Sequence, residues 1–145
     1  MILRLLVAIP LLLCVQLQAA GPPVNVFKTP TCGCCGKWVD HLKANGFEPK
    51  VTDVQSTAEY RKQYGVPEQL LSCHTATVGG YTIEGHVPAA DIHRLLKQRP
   101  KATGLAVPGM PMGSPGMEGA RRDAYSVLLF KSDGSTSVFQ KYPGD

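Results

Sequence analysis

Apolar and polar residues recur at two spacings along the first half of this chain. A period of two is typical of a strand and a period near 3.6 of an amphipathic helix. Gly46 ends the first helical pattern, and Pro49 places the following strand at a sheet edge because proline has no N–H to donate. The pattern predicts strand, helix, strand and helix over residues 24–27, 36–45, 47–54 and 57–64.

The second half reads as two hairpins separated by a helix and a loop. Gly79-Gly80 forms a two-residue turn, and Asp133-Gly134 marks a second one. The predicted hairpin strands cover residues 75–78 with 81–83 and residues 125–130 with 137–142, and the helix runs from Pro88 to Pro100. No helix or strand is expected over residues 107–118, which contain three prolines.

These elements predict the α/β class: a mixed sheet with flanking helices, a loop rich in Met, Pro and Gly, and a C-terminal β-hairpin. We expect one domain over residues 21–145, with a core over about 24–99 and an extension over 100–145. The last hairpin is expected to add strands to the sheet of the core.

The first twenty residues have the composition of a secretory signal. Arg4 precedes an apolar run over 5–15, and the small residues Ala19 and Ala20 come just before Gly21. Eleven apolar residues are too few to span a bilayer, which needs about 20. We therefore expect residues 1–20 to be removed on export, with an uncleaved anchor as the alternative, and no stable membrane insertion afterwards.

Charge excludes one class of partner. The chain has 15 basic and 11 acidic residues and a net charge of +4. Its basic run at residues 94, 97, 99 and 101 has no interleaved aromatic residues and suits the exposed face and last turn of a helix. We therefore expect no nucleic-acid partner.

The cysteines carry the candidate chemistry. Cys32-Gly33-Cys34-Cys35 lies between a predicted strand and a predicted helix. A thiolate at a helix N-terminus is stabilised by the helix dipole and by unpaired N–H groups, so it can act as a nucleophile or as a soft metal ligand. A domain of this size does not need disulfides for its stability, which favours a chemical role for these thiols.

The order of elements resembles the thioredoxin and glutaredoxin architecture over about residues 24–99. Proteins of that architecture have a proline facing the thiol pair, and here the corresponding segment is Ser72-Cys73-His74. The resemblance implies that Cys73, a fourth thiol, faces the first three.

The whole chain after residue 20 resembles the CopG copper-resistance family, which is also catalogued as a domain of unknown function. The resemblance rests on Thr31-Cys32-Gly33-Cys34-Cys35-Gly36, Ser72-Cys73-His74-Thr75, Tyr81-Thr82-Ile83-Glu84-Gly85-His86-Val87-Pro88, Gly104-Leu105-Ala106-Val107-Pro108-Gly109-Met110-Pro111 and Gly113-Ser114-Pro115-Gly116-Met117-Glu118. It implies a periplasmic, copper-associated protein of copper resistance that works beside other periplasmic copper-handling proteins.

Ligand chemistry supports copper independently. Soft thiolates select Cu(I), although zinc and iron–sulfur clusters also accept them. Helical spacing places Cys32 and Cys35 on one face and turns Cys34 away by about a third of a revolution, which disfavours one tetrahedral ion. We therefore expect more than one Cu(I), held by bridging thiolates of Cys32, Cys34, Cys35 and Cys73.

Methionines and histidines are auxiliary candidates. Met110 and Met112 could bind Cu(I) through their thioethers if the loop over 107–118 folds over the thiols, or they could fill gaps in the core. His86, and His74 beside Cys73, could bind Cu(II) or could have a structural role.

The main alternative is a thiol–disulfide oxidoreductase. In this interpretation Cys32 attacks a substrate and Cys35 resolves the mixed disulfide, so these two residues are the catalytic ones. Cys34 and Cys73 would then tune the pair or form a second disulfide. The two functions could also merge, because thiols that change partners with redox state could change the oxidation state of copper.

Overall fold

The computed structural model describes residues 21–145, and the predicted signal over 1–20 lies outside the described residues. Within this range the chain forms seven strands, three α-helices and a 3₁₀ turn at Glu68–Leu70. In chain order the elements are β1 Pro23–Lys28, α1 Gly33–Ala44, β2 Glu48–Asp53, α2 Ala58–Gln63, β3 His74–Val78, β4 Tyr81–Glu84, α3 Ala89–Gln98, β5 Gly104–Ala106, β6 Tyr125–Phe130 and β7 Thr136–Tyr142.

All seven strands form one mixed sheet in the order β2-β1-β3-β4-β5-β6-β7. The parallel pairs β1–β2 and β4–β5 are each connected through a helix, α1 and α3 respectively, as parallel neighbours require. The other pairs are antiparallel, and tight hairpins join β3 to β4 and β6 to β7. The predicted α/β class, the edge position of β2 and the addition of the C-terminal hairpin to the sheet are confirmed. The thioredoxin-like label stays a prediction.

The core lies between the sheet and the apolar faces of α1 and α3. Trp38, Val39 and Leu42 form the buried face of α1, as their spacing predicted, while Ile92 and Leu95 form that of α3. These side chains pack in one cluster with residues of β1, β3, β4 and β6. The packing fixes both helices on the sheet and thereby fixes the N-terminus of α1, where the cysteines lie.

Two elements differ from the prediction. Helix α1 begins at Gly33, three residues before the predicted start, so Cys34 and Cys35 lie inside its first turn. Strand β5 was not predicted because three residues, Gly104–Ala106, are too few to show a period. The loop over 107–118 forms turns without helix or strand, as expected. None of the helices over residues 21–145 has the length and apolar character needed to cross a membrane.

Candidate metal centre

Three cysteines surround the start of α1. Cys32 is the N-cap residue, with φ −78° and ψ 89°, so its backbone is not helical. Its N–H donates to Thr29 O at 3.1 Å, and its C=O accepts from Gly36 N at 3.3 Å. Cys35 is fully buried, whereas Cys34 is partly exposed. The turn after β1 therefore places three sulfurs at the positive end of a helix dipole.

The structure brings the four predicted cysteines together. Cys32 and Cys35 form a disulfide, and Cys34 and Cys73 are free thiols. The four sulfurs all lie within 4.8 Å of one another. We call these four residues the thiol site.

The expected orientation of Cys34 was wrong. Its Sγ lies 3.5 Å from the Sγ of Cys32 and is not turned away from it. Helical spacing does not apply to this pair because Cys32 precedes the first helical residue and has a non-helical ψ of 89°. The argument from helical geometry against a single tetrahedral ion therefore does not hold.

Cys73 lies between the thiols and two histidines. Its Sγ is 2.9 Å from His86 Nε2 and 3.3 Å from His74 Nδ1. His86 Nδ1 donates to Pro115 O at 2.7 Å, which leaves Nε2 as the nitrogen that can accept from the Cys73 thiol. Burial, and secondarily the neighbouring Cys34, raise the pKa of Cys73 to about 12. Without a metal Cys73 is therefore a neutral thiol.

His74 is a second neutral imidazole beside Cys73. Its ring is fully buried and lies 4.2 Å from the ring of Trp38, centroid to centroid. Burial, and secondarily the neighbouring His86, lower the pKa of His74 to about 3. Its Nε2 has no hydrogen-bond partner within the described part of the chain. Cys73, His74 and His86 thus form a group of sulfur and nitrogen donors that shares Cys73 with the thiol site.

The loop over 107–118, which we call the covering loop, packs directly on the N-terminus of α1. A Cβ on Gly116 would lie 2.7 Å from Cys34 O and 3.0 Å from Trp38 N, so only glycine permits this approach. The loop places Met110 Sδ 3.9 Å from Cys34 Sγ, with the Met110 side chain half exposed. Met112 has a different environment from Met110, because its terminal methyl group lies against Gly119.

His41 and His93, which the sequence analysis did not propose as ligands, contact the backbone of other elements. His41 Nε2 accepts the Ala89 N–H at 3.0 Å at the start of α3. His93 Nε2 lies 2.9 Å from Asn45 O, and its ring stacks on Phe47.

Sequence reasoning missed two features of this region. It gave no role to Glu84, which is fully buried and accepts from Ser72 and Thr75 on either side of Cys73. It also did not foresee that the carbonyl of Pro115 binds His86 Nδ1. A lone acid in a strand of otherwise apolar and hydroxyl residues was the one signal for Glu84. No local pattern marks a carbonyl that orients a distant imidazole.

A mixed α/β fold with four sulfurs and two imidazoles at one helix N-terminus defines a cysteine-rich candidate metal centre. Two solved structures are similar to the chain. One, "Copper resistance protein copG- Form 2", is 44% identical with a TM-score of 0.81 and matches 85% of this chain and 99% of its own. The other, "Copper resistance protein copG- Form 1", is 46% identical with a TM-score of 0.80 and matches 84% and 98%.

A family described as "Protein of unknown function, DUF411" matches residues 70–117. No curated protein matches the chain. At these identities and coverages, the chain belongs to the CopG copper resistance family, as the sequence resemblance predicted.

Proposed function

We propose that this protein binds copper in copper resistance, with Cys32, Cys34, Cys35 and Cys73 as its ligands. The observation that carries the proposal is the convergence of Cys73 on the other three sulfurs from a separate part of the chain. Thiolates select Cu(I), and the family to which the chain belongs takes its name from copper resistance. The metal is cargo in this proposal, since the fold has its own hydrophobic core.

The number and arrangement of donors favour more than one copper ion. Four cysteine sulfurs, the thioether of Met110 and the imidazoles of His74 and His86 exceed what one ion coordinates. Cys73 belongs to both donor groups, so its thiolate is placed to bridge two ions. His86 is the better placed imidazole, because Pro115 O holds its Nδ1–H and leaves Nε2 towards Cys73.

Redox chemistry follows from the disulfide. Cys32 and Cys35 can bind Cu(I) only after two electrons and two protons have converted their disulfide to thiols. In the reverse direction, the two thiols can pass one electron to each of two Cu(II) ions, which gives two Cu(I), one disulfide and two protons. The site can therefore change the oxidation state of copper as it binds or releases the metal.

Export completes the proposal. The apolar run and small residues over 1–20 favour removal of this segment and a periplasmic location for residues 21–145. Other periplasmic copper-handling proteins are then the partners for delivery and removal of the metal. Fractionation of cells, with the mass of the mature chain, tests this part: an uncleaved chain in the cytoplasm would contradict it.

The experiment for copper is an anaerobic Cu(I) titration of the reduced protein, with thiol accessibility followed in parallel. We expect more than one copper per chain, protection of all four thiols, and loss of that stoichiometry in Cys73→Ser. Met110→Leu and Met112→Leu form a matched pair, and we expect the first to weaken binding more because Met110 lies at Cys34. Binding of one ion that leaves Cys73 reactive would refute the multinuclear site.

A thiol–disulfide oxidoreductase is the second candidate, favoured by the Cys32–Cys35 disulfide at the helix N-terminus. Exchange requires an accessible N-terminal thiol, and Cys32 is partly exposed while Cys35 is buried. A rapid exchange of the protein with glutathione, abolished in Cys32→Ser and combined with weak Cu(I) binding, would establish this function in place of copper binding.

A further inference from the structure

The segment that carries Cys73 to the thiol site is held by polar contacts from three other parts of the chain. Ser72, the residue before Cys73, donates its N–H to Glu84 Oε1 at 2.8 Å. Its C=O accepts from Arg61 Nη1 at 3.0 Å, and its hydroxyl donates to Gly109 O of the covering loop. Three different parts of the chain therefore fix one residue through each of its polar groups.

Glu84 is fully buried, and both of its oxygens are used. Oε1 accepts from Ser72 and Oε2 accepts the Thr75 hydroxyl at 2.7 Å, so the carboxylate holds the chain on both sides of Cys73. Arg61 Nη1 lies 3.9 Å from Oε1. Burial raises the pKa of Glu84 to about 7. Replacing a buried acid–arginine pair by apolar residues of similar volume is often neutral or stabilising, so stability alone does not explain this pair.

The backbone beyond Glu84 is shaped for the same contact. Gly85 has φ +72°, and a Cβ at this position would collide with the Ser72 side chain and would lie 2.6 Å from Val107 O. Gly109 N also donates to Leu71 O at 3.0 Å. Ser72 is thereby packed between the end of β4 and the covering loop, which carries Met110.

We propose that Arg61 and Glu84 are positioning residues that hold the Ser72 backbone and thereby keep the Cys73 sulfur within reach of the other three thiols. This inference rests on the proposed function, because it assigns the pair to the ligand that completes the copper site. Neither side chain touches the metal in this proposal. Their effect passes through the backbone of Ser72, because Glu84 accepts from its N–H and Arg61 donates to its C=O.

The test follows the reactivity of Cys73 without any metal. In a Cys34→Ser background with the Cys32–Cys35 disulfide intact, alkylation of Cys73 by iodoacetamide is followed by peptide mass spectrometry. We expect Glu84→Met, which removes both acceptors at similar volume, to raise the alkylation rate about tenfold, as the loss of an ordinary buried hydrogen bond allows. Arg61→Met should act in the same direction, and Glu84→Gln, which keeps one acceptor for the Ser72 N–H, should restore most of the protection.

Asp91→Leu is the matched control, because Asp91 is also a buried carboxylate beside an arginine but lies on α3. It should lower the melting temperature and leave Cys73 protected. Unchanged alkylation in both Arg61→Met and Glu84→Met, or an equal rise in Asp91→Leu, overturns the inference. If Glu84→Met does not fold, Arg61→Met decides the question, and an unchanged alkylation rate in this variant then overturns the inference.

Copper titration of the same variants, with Cys34 restored, separates this inference from the proposed function. Fewer coppers per chain in Glu84→Met than in wild type is the expected result. If wild type itself binds no copper, the proposed function fails, and if it binds a single ion only the multinuclear site fails. In both cases the alkylation result still reports on positioning. If wild type binds several ions and the variants match it in both measurements, only the positioning inference fails.

Discussion

Glu84 and Asp91 are both buried carboxylates beside an arginine, and they hold different parts of the chain. Glu84 accepts from Ser72 and Thr75, on either side of Cys73. Asp91 accepts from Arg94 at 2.8 Å and from the Tyr142 hydroxyl at 2.7 Å, which ties α3 to the C-terminal strand β7.

The partners explain the difference. Tyr142 stacks on Tyr125 with 4.7 Å between ring centroids, and Arg94 lies 4.1 Å above the Phe139 ring, so Asp91 sits among aromatic side chains that dock the hairpin. Glu84 instead binds backbone and hydroxyl groups next to a candidate metal ligand. One buried acidic side chain thus attaches a hairpin to a helix, and the other binds the segment that carries the candidate metal ligand Cys73.

The largest effect is expected from Gly116→Ala, where the covering loop packs on the N-terminus of α1. The new Cβ would lie 2.7 Å from Cys34 O and 3.3 Å from His86 Nδ1, at a φ of +88° that disfavours alanine. Backbone strain and overpacking together should cost about 3 kcal/mol of unfolding free energy. Urea unfolding measures the loss, and Cu(I) titration should show a weakened site.

Gly109→Ala is the control for backbone strain, because Gly109 has φ +67° in the same loop and a Cβ there meets no atom within 4 Å. It should cost only about 1–2 kcal/mol. Equal losses in the two variants would show that close packing of the loop on α1 contributes nothing beyond backbone conformation.

An intermediate effect is expected from Asp91→Leu, which removes a contact between α3 and the C-terminal hairpin. The substitution leaves the Tyr142 hydroxyl and the Arg94 guanidinium without their shared acceptor, at a cost of about 2 kcal/mol. Thermal unfolding measures the loss. Copper stoichiometry should stay that of wild type, and a change in it would erase the distinction between the two carboxylates.

The smallest effect concerns pH and His41, whose neutral Nε2 accepts the Ala89 N–H at the start of α3. Burial lowers the pKa of His41 below its ordinary value, with Glu118 acting in the opposite direction. The unfolded chain therefore takes up this proton at higher pH than the folded one, and the free energy of unfolding should fall as pH drops through about 6.5.

Urea unfolding of the metal-free protein at about pH 7.5 and about pH 5 measures this dependence. His41→Gln should make it shallower, because an amide oxygen can accept the same N–H at either pH. His93→Gln, which replaces a histidine that also contacts backbone between α1 and α3, is the matched control for the substitution itself. An unchanged slope in His41→Gln would show that His41 does not contribute to acid sensitivity.

Local patterns in the sequence were sufficient for most of the fold. The spacing of Trp38 and Leu42, the glycine turn at 79–80 and the prolines of the covering loop predicted α1, the β3–β4 hairpin and an irregular segment, because each depends on residues close together in the chain. The cluster at Cys32-Gly33-Cys34-Cys35 likewise identified one side of the site. Strand β5 was not predicted, because its three residues are too few to show a period of two.

Tertiary structure decided what faces those thiols. The sequence determined that Cys32, Cys34 and Cys35 lie near a helix N-terminus, and resemblance to the thioredoxin architecture pointed to Cys73. The sheet order then brought Cys73 beside His86, thirteen residues away, and the covering loop brought Pro115 O to that imidazole. Such contacts depend on how β3, β4 and the loop pack on α1, and no local propensity encodes a distance between residues that only packing makes neighbours.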